Sequence, residues 1–166
     1  MLSQRGFTLI EMVIVIVLLG VLAITAAPRL ITITDDATDS TFAATVAAYK
    51  AGIQQVHLNW LMRGDGVAQQ DFIKITDPEV GGDLSINSFG YPADTRGTSL
   101  TLNSQGDCID VWKAILVTTN VTVGRTSEFD FKATYNGSQK CTYELSKDTS
   151  KKIFYDSLTG EVTFTQ

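Results

Sequence analysis

Residues 1–30 read MLSQRGFTLIEMVIVIVLLGVLAITAAPRL, and the reading of this stretch decides the rest. From Met12 to Ile24 no side chain is polar, whereas the remainder is mixed and rich in Thr, Asp, Ser and Gly. Phe7 to Ala27 is 21 residues, about 31 Å of helix at ~1.5 Å per residue. That length crosses the hydrocarbon core of a bilayer. The segment is apolar on every face, as lipid demands. Gly20, Ala23, Ala26 and Ala27 keep part of the surface narrow, which permits close helix–helix approach.

A secretory signal peptide is the competing reading. Arg5 supplies a basic start and Thr25-Ala26-Ala27 imitates a cleavage site. Glu11 argues against it, because a carboxylate within a membrane segment costs about 2.5–3.5 kcal/mol at the helix centre and less near an interface. A disposable signal has little reason to carry that cost. A cut between Gly6 and Phe7 would create an α-amino group four residues before Glu11. If processed helices stack, the amine of one chain and the carboxylate of the next neutralise each other, which makes Glu11 a register device. The alternative is a carboxylate resting at the headgroup level, or protonated there.

The chain has 166 residues, enough for one globular domain and an additional element. Net charge is −5 and falls by one more if Arg5 leaves with the first six residues. No basic stripe accompanies it; Lys151-Lys152 is only a pair. No nucleic-acid partner is therefore expected. His57 is the one histidine and no CxxC is present, so neither a metal nor a cofactor is expected. Neither GxSxG, HExxH nor a P-loop occurs, so the chain does not read as an enzyme. A catalytic carboxylate pair among the 18 acids would leave no such signature. Cys108 and Cys141 lie in the polar C-terminal half; if that half is exported they read as one disulfide, and otherwise as two buried thiols.

Pro28 removes a backbone donor and Ile31–Thr34 is β-branched, so a kink or local melting is expected before the acidic stretch Asp35–Ser40. Phe42, Val46, Tyr49, Ile53, Val56 and Trp60 then fall at steps of 4 and 3, one face of a helix. His57 sits just off this stripe, and Gly64-Asp65-Gly66 ends the helix. Val67–Gln105 is irregular and broken by Pro and Gly; Ile86–Pro92, with aromatics among turn residues, reads as a loop anchored to the core. Asp107–Leu116 suits a short helix with Asp107 as N-cap and Cys108, Ile109, Trp112 and Ile115 facing inward. The C-terminus alternates, giving an antiparallel meander of Glu128–Tyr135, Lys140–Leu145, Lys151–Asp156 and Glu161–Thr165.

Gly6-Phe7-Thr8-Leu9-Ile10-Glu11 and the Val/Ile/Leu run after it closely resemble the type III signal of type IV pilins and pseudopilins. The resemblance implies cleavage after Gly6 by a prepilin peptidase, N-methylation of Phe7 and a helix-kinking role for Pro28. It implies an α+β pilin fold: a long N-terminal helix, membrane-spanning in its first half, packed on a C-terminal antiparallel sheet. The expected organisation is a leader over 1–6, an anchoring and assembly helix over 7–28, a linker and amphipathic half-helix over 29–63, and a head over 64–166. The implied partners are other pilin subunits, the peptidase/methyltransferase, an inner-membrane assembly platform and the lipid bilayer. The precursor would sit in the inner membrane with a periplasmic head, then join a surface pilus of a Gram-negative cell. Ala27-Pro28-Arg29, Asn87–Pro92, Asp107–Trp112 and Tyr155–Val162 resemble the mannose-sensitive haemagglutinin pilin group, which implies adhesion or surface attachment. A pseudopilin of a type II secretion system shares everything through Pro28. The cysteine pair and the absence of calcium-loop spacing lean away from that alternative.

Overall fold

The computed structural model describes residues 7–63, 65–77, 80–97, 99–116 and 120–166, with the side chains of 26–35 excepted. The architecture is α+β. Helix α1 (Leu9–Arg63) precedes strands β1 (Gln69–Ile73), β2 (Leu84–Ile86) and β3 (Pro92–Asp94). Helix α2 (Gln105–Ile115) follows, then β4 (Val123–Gly124), β5 (Phe131–Tyr135), β6 (Lys140–Leu145), β7 (Lys152–Asp156) and β8 (Glu161–Thr165). Contacts divide the chain into two compact units, Met1–Phe42 and Ala43–Gln166.

The first unit is the leading part of α1. Where Pro28 and the β-branched run favoured local melting, the backbone is helical throughout. One missing hydrogen bond at Pro28 costs about 3 kcal/mol, whereas a nucleated helix gains a bond with each further residue.

The second unit carries the core. The helical stripe lands as spaced: Phe42 on the first unit's last position and Val46, Tyr49, Ile53 and Val56 beyond it are all buried, and Trp60 is half-buried. Strands β4 to β8 form one sheet in sequence order, parallel between β4 and β5 and antiparallel elsewhere. Alternation with period two puts Phe131, Ala133, Cys141, Tyr143, Leu145, Ile153, Tyr155 and Val162 on the buried face. The expected first strand is shorter: it begins at Phe131, and Phe129 stays partly exposed before it. Phe164 shares the inner parity, yet it is half-exposed because β8 is the sheet edge.

Strands β1, β2 and β3 make a second antiparallel sheet inside the stretch that read as irregular. Both pairings shift register, and β2 is buried on both faces, so neither length nor alternation marked it. Leu84 and Ile86 pack with Val56, against Trp60, Phe72, Ile73 and Ile115. Loop 87–91 is held as anticipated. Buried Asn87 donates to the Ser157 carbonyl and hydroxyl, while the backbone N–H groups of Phe89 and Tyr91 donate to its Oδ1.

Helix α2 starts earlier than Asp107. Ser104 is the N-cap and accepts from the Asp107 N–H, while the Asp107 carboxylate accepts from the Ser104 N–H. This capping box makes Asp107 the third helical residue, not the cap. Val111 joins Cys108 and Trp112 in the core, whereas Ile109 and Ile115 are half-buried. Gly52 of α1 faces Ile115, whose side chain fills the place of a Cβ there. The two helices therefore approach as closely as glycine allows.

Asp110 ties α2 to the loop after β3 through Arg96, Nη2 to Oδ2 2.7 Å. Burial pushes the Asp110 carboxyl above the usual carboxylate range; the Arg96 guanidinium opposes this, and Asp94 and Asp107 add to the upward push. A carboxyl whose folded pKa lies above its unfolded value stabilises the fold at low pH and loses that contribution as pH rises through the folded pKa. Asp110→Asn should accordingly gain stability relative to the parent between about pH 3 and pH 7, which bracket the ordinary aspartate pKa. Urea midpoints at the two pH values test this, and a pH-independent difference refutes it. Cys108 and Cys141 form the disulfide, with Cα atoms 5.8 Å apart at a sequence separation of 33. Cys108→Ser/Cys141→Ser is expected to lower the unfolding free energy by about 3–4 kcal/mol, from the loop entropy it releases, as read by the same denaturation.

Candidate processing and assembly site at the N-terminus

Gly6 lies outside the described residues; Phe7 and everything after it in the motif lie within them. Thr8 precedes the first helical residue, Leu9, and Glu11 is the third residue in. The Thr8 N–H and hydroxyl both donate to Glu11 Oε2 at 2.8 Å, and the Glu11 N–H donates back to Thr8 Oγ1 at 3.3 Å. This is a reciprocal capping box, which satisfies helix N–H groups that have no intrahelical acceptor. The carboxylate also lies at the positive end of the helix dipole. Glu11 thus has a structural task within its own chain. The Thr-x-x-Glu spacing is the sequence signal of this task.

Beyond the cap the surface is apolar and unfilled. Phe7 is 78% exposed and Leu9 82%. Every large side chain from Ile10 to Leu22, and Ile24 after them, is exposed as well. Soluble monomers do not present so long a continuous apolar surface. A Cβ at Gly20 would meet nothing within 4 Å, so no packing inside the chain requires a glycine there. Among the described residues no helix is long and apolar enough to cross a membrane. The side chains of 26–35 are not described, so Ala26 and Ala27 of the Phe7–Ala27 span, and Pro28, fall outside the described ones.

In the second unit, the disulfide joins α2 to β6 beside the aromatic core. His57 stacks flat on Tyr91, ring centroids 4.4 Å apart, and Nδ1 lies 3.3 Å from the Gly90 carbonyl. It serves packing. Among the described residues no group of three or more His, Cys, Asp and Glu is placed to hold a metal ion.

Residues 1–27 match the prokaryotic N-terminal methylation motif. That match spans Gly6, Phe7 and Glu11 together. The chain is also 29% identical over 107 residues to the type IV narrow pilus major component PilA5 of Thermus thermophilus. The aligned part is 64% of this chain and 85% of that protein, so the similarity runs well past the motif. No solved structure matches.

Thr8→Ala removes the N-cap hydroxyl and is expected to weaken the first turn by about 1 kcal/mol. Amide exchange at residues 9–12, measured on the full chain in detergent micelles, should quicken roughly fivefold, the factor that energy implies. Thr8→Ser should restore the parent rates; unchanged exchange in the alanine variant would show that the cap is not formed.

Proposed function

We propose that this chain is a structural subunit of a type IV pilus, made as a membrane-held precursor and assembled by helix bundling. The observation that carries the reading is the methylation motif matched over residues 1–27, which takes in an apolar helix whose described side chains are exposed. Similarity to a pilus major component supports it. In this reading residues 1–6 are a leader, residues 7–28 anchor and assemble, 29–63 lead into the head, and 64–166 form it. Prepilin peptidase cuts between Gly6 and Phe7, and the new Phe7 amine is methylated. The assembly platform then extracts the helix from the inner membrane, which exchanges lipid for neighbouring helices. Gly20 gives those helices a place to approach, and Pro28 kinks α1. The role is structural rather than enzymatic, with a periplasmic head that ends on the cell surface. The scattered likeness to the mannose-sensitive haemagglutinin group supports attachment as the use of the fibre.

Glu11 pairs with the Phe7 amine of an adjacent subunit. The capping box holds the Glu11 carboxylate at the start of α1, where it is exposed and open to the amine of a neighbouring subunit. Removing one partner of a buried pair costs about 3–5 kcal/mol, and each ~1.4 kcal/mol is a factor of ten. Glu11→Gln keeps a capping-box side chain but loses the charge, whereas Glu11→Ala loses both. Both variants are expected to be processed normally and to be depleted at least about tenfold from sheared surface fibres, as read by immunoblot. Normal incorporation of Glu11→Gln alongside failure of Glu11→Ala would assign Glu11 to the cap alone. Absence of the parent chain from any sheared fraction would overturn the pilus reading.

A further inference from the structure

Asn136-Gly137 is the chain's one Asn-Gly pair, and it stands between β5 and β6. Tight hairpin turns favour Asn-Gly at their two central positions, where φ is positive. Here the pair sits ahead of them. The Lys140 N–H donates to the Gly137 carbonyl at 3.0 Å, so Ser138 and Gln139 take the centre, with φ of 49° and 59°. Gly137 itself has φ +80°, and a Cβ there would meet nothing within 4 Å. Asn136 is exposed. Among the described residues no acceptor faces the Gly137 N–H.

Asparagine is thermolabile because its side-chain carbonyl carbon lies within reach of the next backbone nitrogen. That nitrogen, on losing its proton to water, attacks Asn136 Cγ and closes a succinimide ring. The Cγ–Nδ2 bond breaks, and the nitrogen takes a proton from water and leaves as ammonia. Water then opens either imide carbonyl, which yields aspartate or isoaspartate. Glycine puts no side chain in the path of attack. The reaction still needs its two atoms about 3–3.5 Å apart and aligned. The Asn136 amide is held in another direction, for Nδ2 donates to Thr142 Oγ1 at 2.6 Å. Thr142 pairs with Thr134, so this bond draws the side chain back along β5, whereas Gly137 leads into the turn. We infer that Asn136-Gly137 is a self-modification site, set up to deamidate and restrained by the Thr142 hydroxyl. The new carboxylate would stand opposite Lys140, whose backbone carbonyl accepts from the Asn136 N–H and whose ammonium pairs with Asp156 at 2.9 Å. Isoaspartate would also lengthen the backbone that enters the turn.

Trypsin cuts after Lys132 and Lys140, which isolates Asn136 in one peptide, residues 133–140. Its gain in mass as amide becomes acid reads the reaction. The full chain is aged in detergent micelles at mildly alkaline pH, and the same peptide, free in solution, sets the unrestrained rate. The parent chain is expected to convert at least about fivefold more slowly than the peptide, the factor that a hydrogen bond of ~1 kcal/mol implies. Thr142→Val keeps the branched shape without the hydroxyl and should convert about fivefold faster than the parent, by the same arithmetic. Thr142→Ser keeps the hydroxyl and should stay at the parent rate. Thr163→Val, exposed on the same sheet face two strands away, reports any general loosening and should also stay there. A parent as fast as the peptide, or a peptide that does not convert, overturns the proposal. So does a Thr142→Val rate equal to the parent's, or matched by either Thr142→Ser or Thr163→Val.

Discussion

Tyr49 holds the second unit together. Its ring is wholly buried and touches Trp112 of α2, Tyr143 of β6 and Tyr155 of β7. A leucine would supply comparable apolar area, but a buried hydroxyl also needs partners. The Tyr49 and Tyr143 hydroxyls lie 3.1 Å apart, and the Tyr143 hydroxyl donates to the Cys108 carbonyl. Tyr155 donates to the Pro92 carbonyl at the start of β3. Burial pushes all three phenols above their usual range, so they stay neutral, as hydrogen-bond donors must. One helix position thereby sets the location of α2, the large sheet and the small one.

The same helix meets two incompatible demands. Its second half shows the amphipathic spacing of a soluble domain, with the apolar stripe buried and Ala, Lys and Gln outward. Its first half has no polar face. The backbone is helical through both parts, so what changes along it is side-chain chemistry rather than secondary structure. Asp35–Ser40 marks where the side-chain chemistry turns over. The capping box at Thr8 and Glu11 shows a similar economy, since one carboxylate satisfies the helix start and remains at the point where cleavage would release an amine.

Much of this was legible because the patterns were local and periodic. The stripe from Phe42 to Val56 and the inner face of β5 to β7 follow directly from steps of 3–4 and of 2, and both are buried. The cysteines could be paired because there were only two. What escaped lacked a period. Strands β2 and β3 are three residues each, bulged, and buried on both faces, so alternation had nothing to display. Strand β4 is two residues in parallel with β5, a pairing that no turn residue announces. Ser104 was missed as the cap because Asp107, an equally good cap on its own, lay nearer the apolar run. That the Trp112 indole N–H finds no acceptor among the described residues depends wholly on tertiary packing and has no sequence signature.

The disulfide between α2 and β6 has a mechanical side. It closes the chain from Cys108 to Cys141 into a ring, so tension applied at the two ends crosses the sulfur atoms and bypasses β4 and β5. At ~3.3–3.6 Å per extended residue, about 110 Å of contour is withheld from stretching while the bond is oxidised. Under pull the chain can therefore yield α1, the small sheet or the last two strands, but β4 and β5 cannot be drawn out.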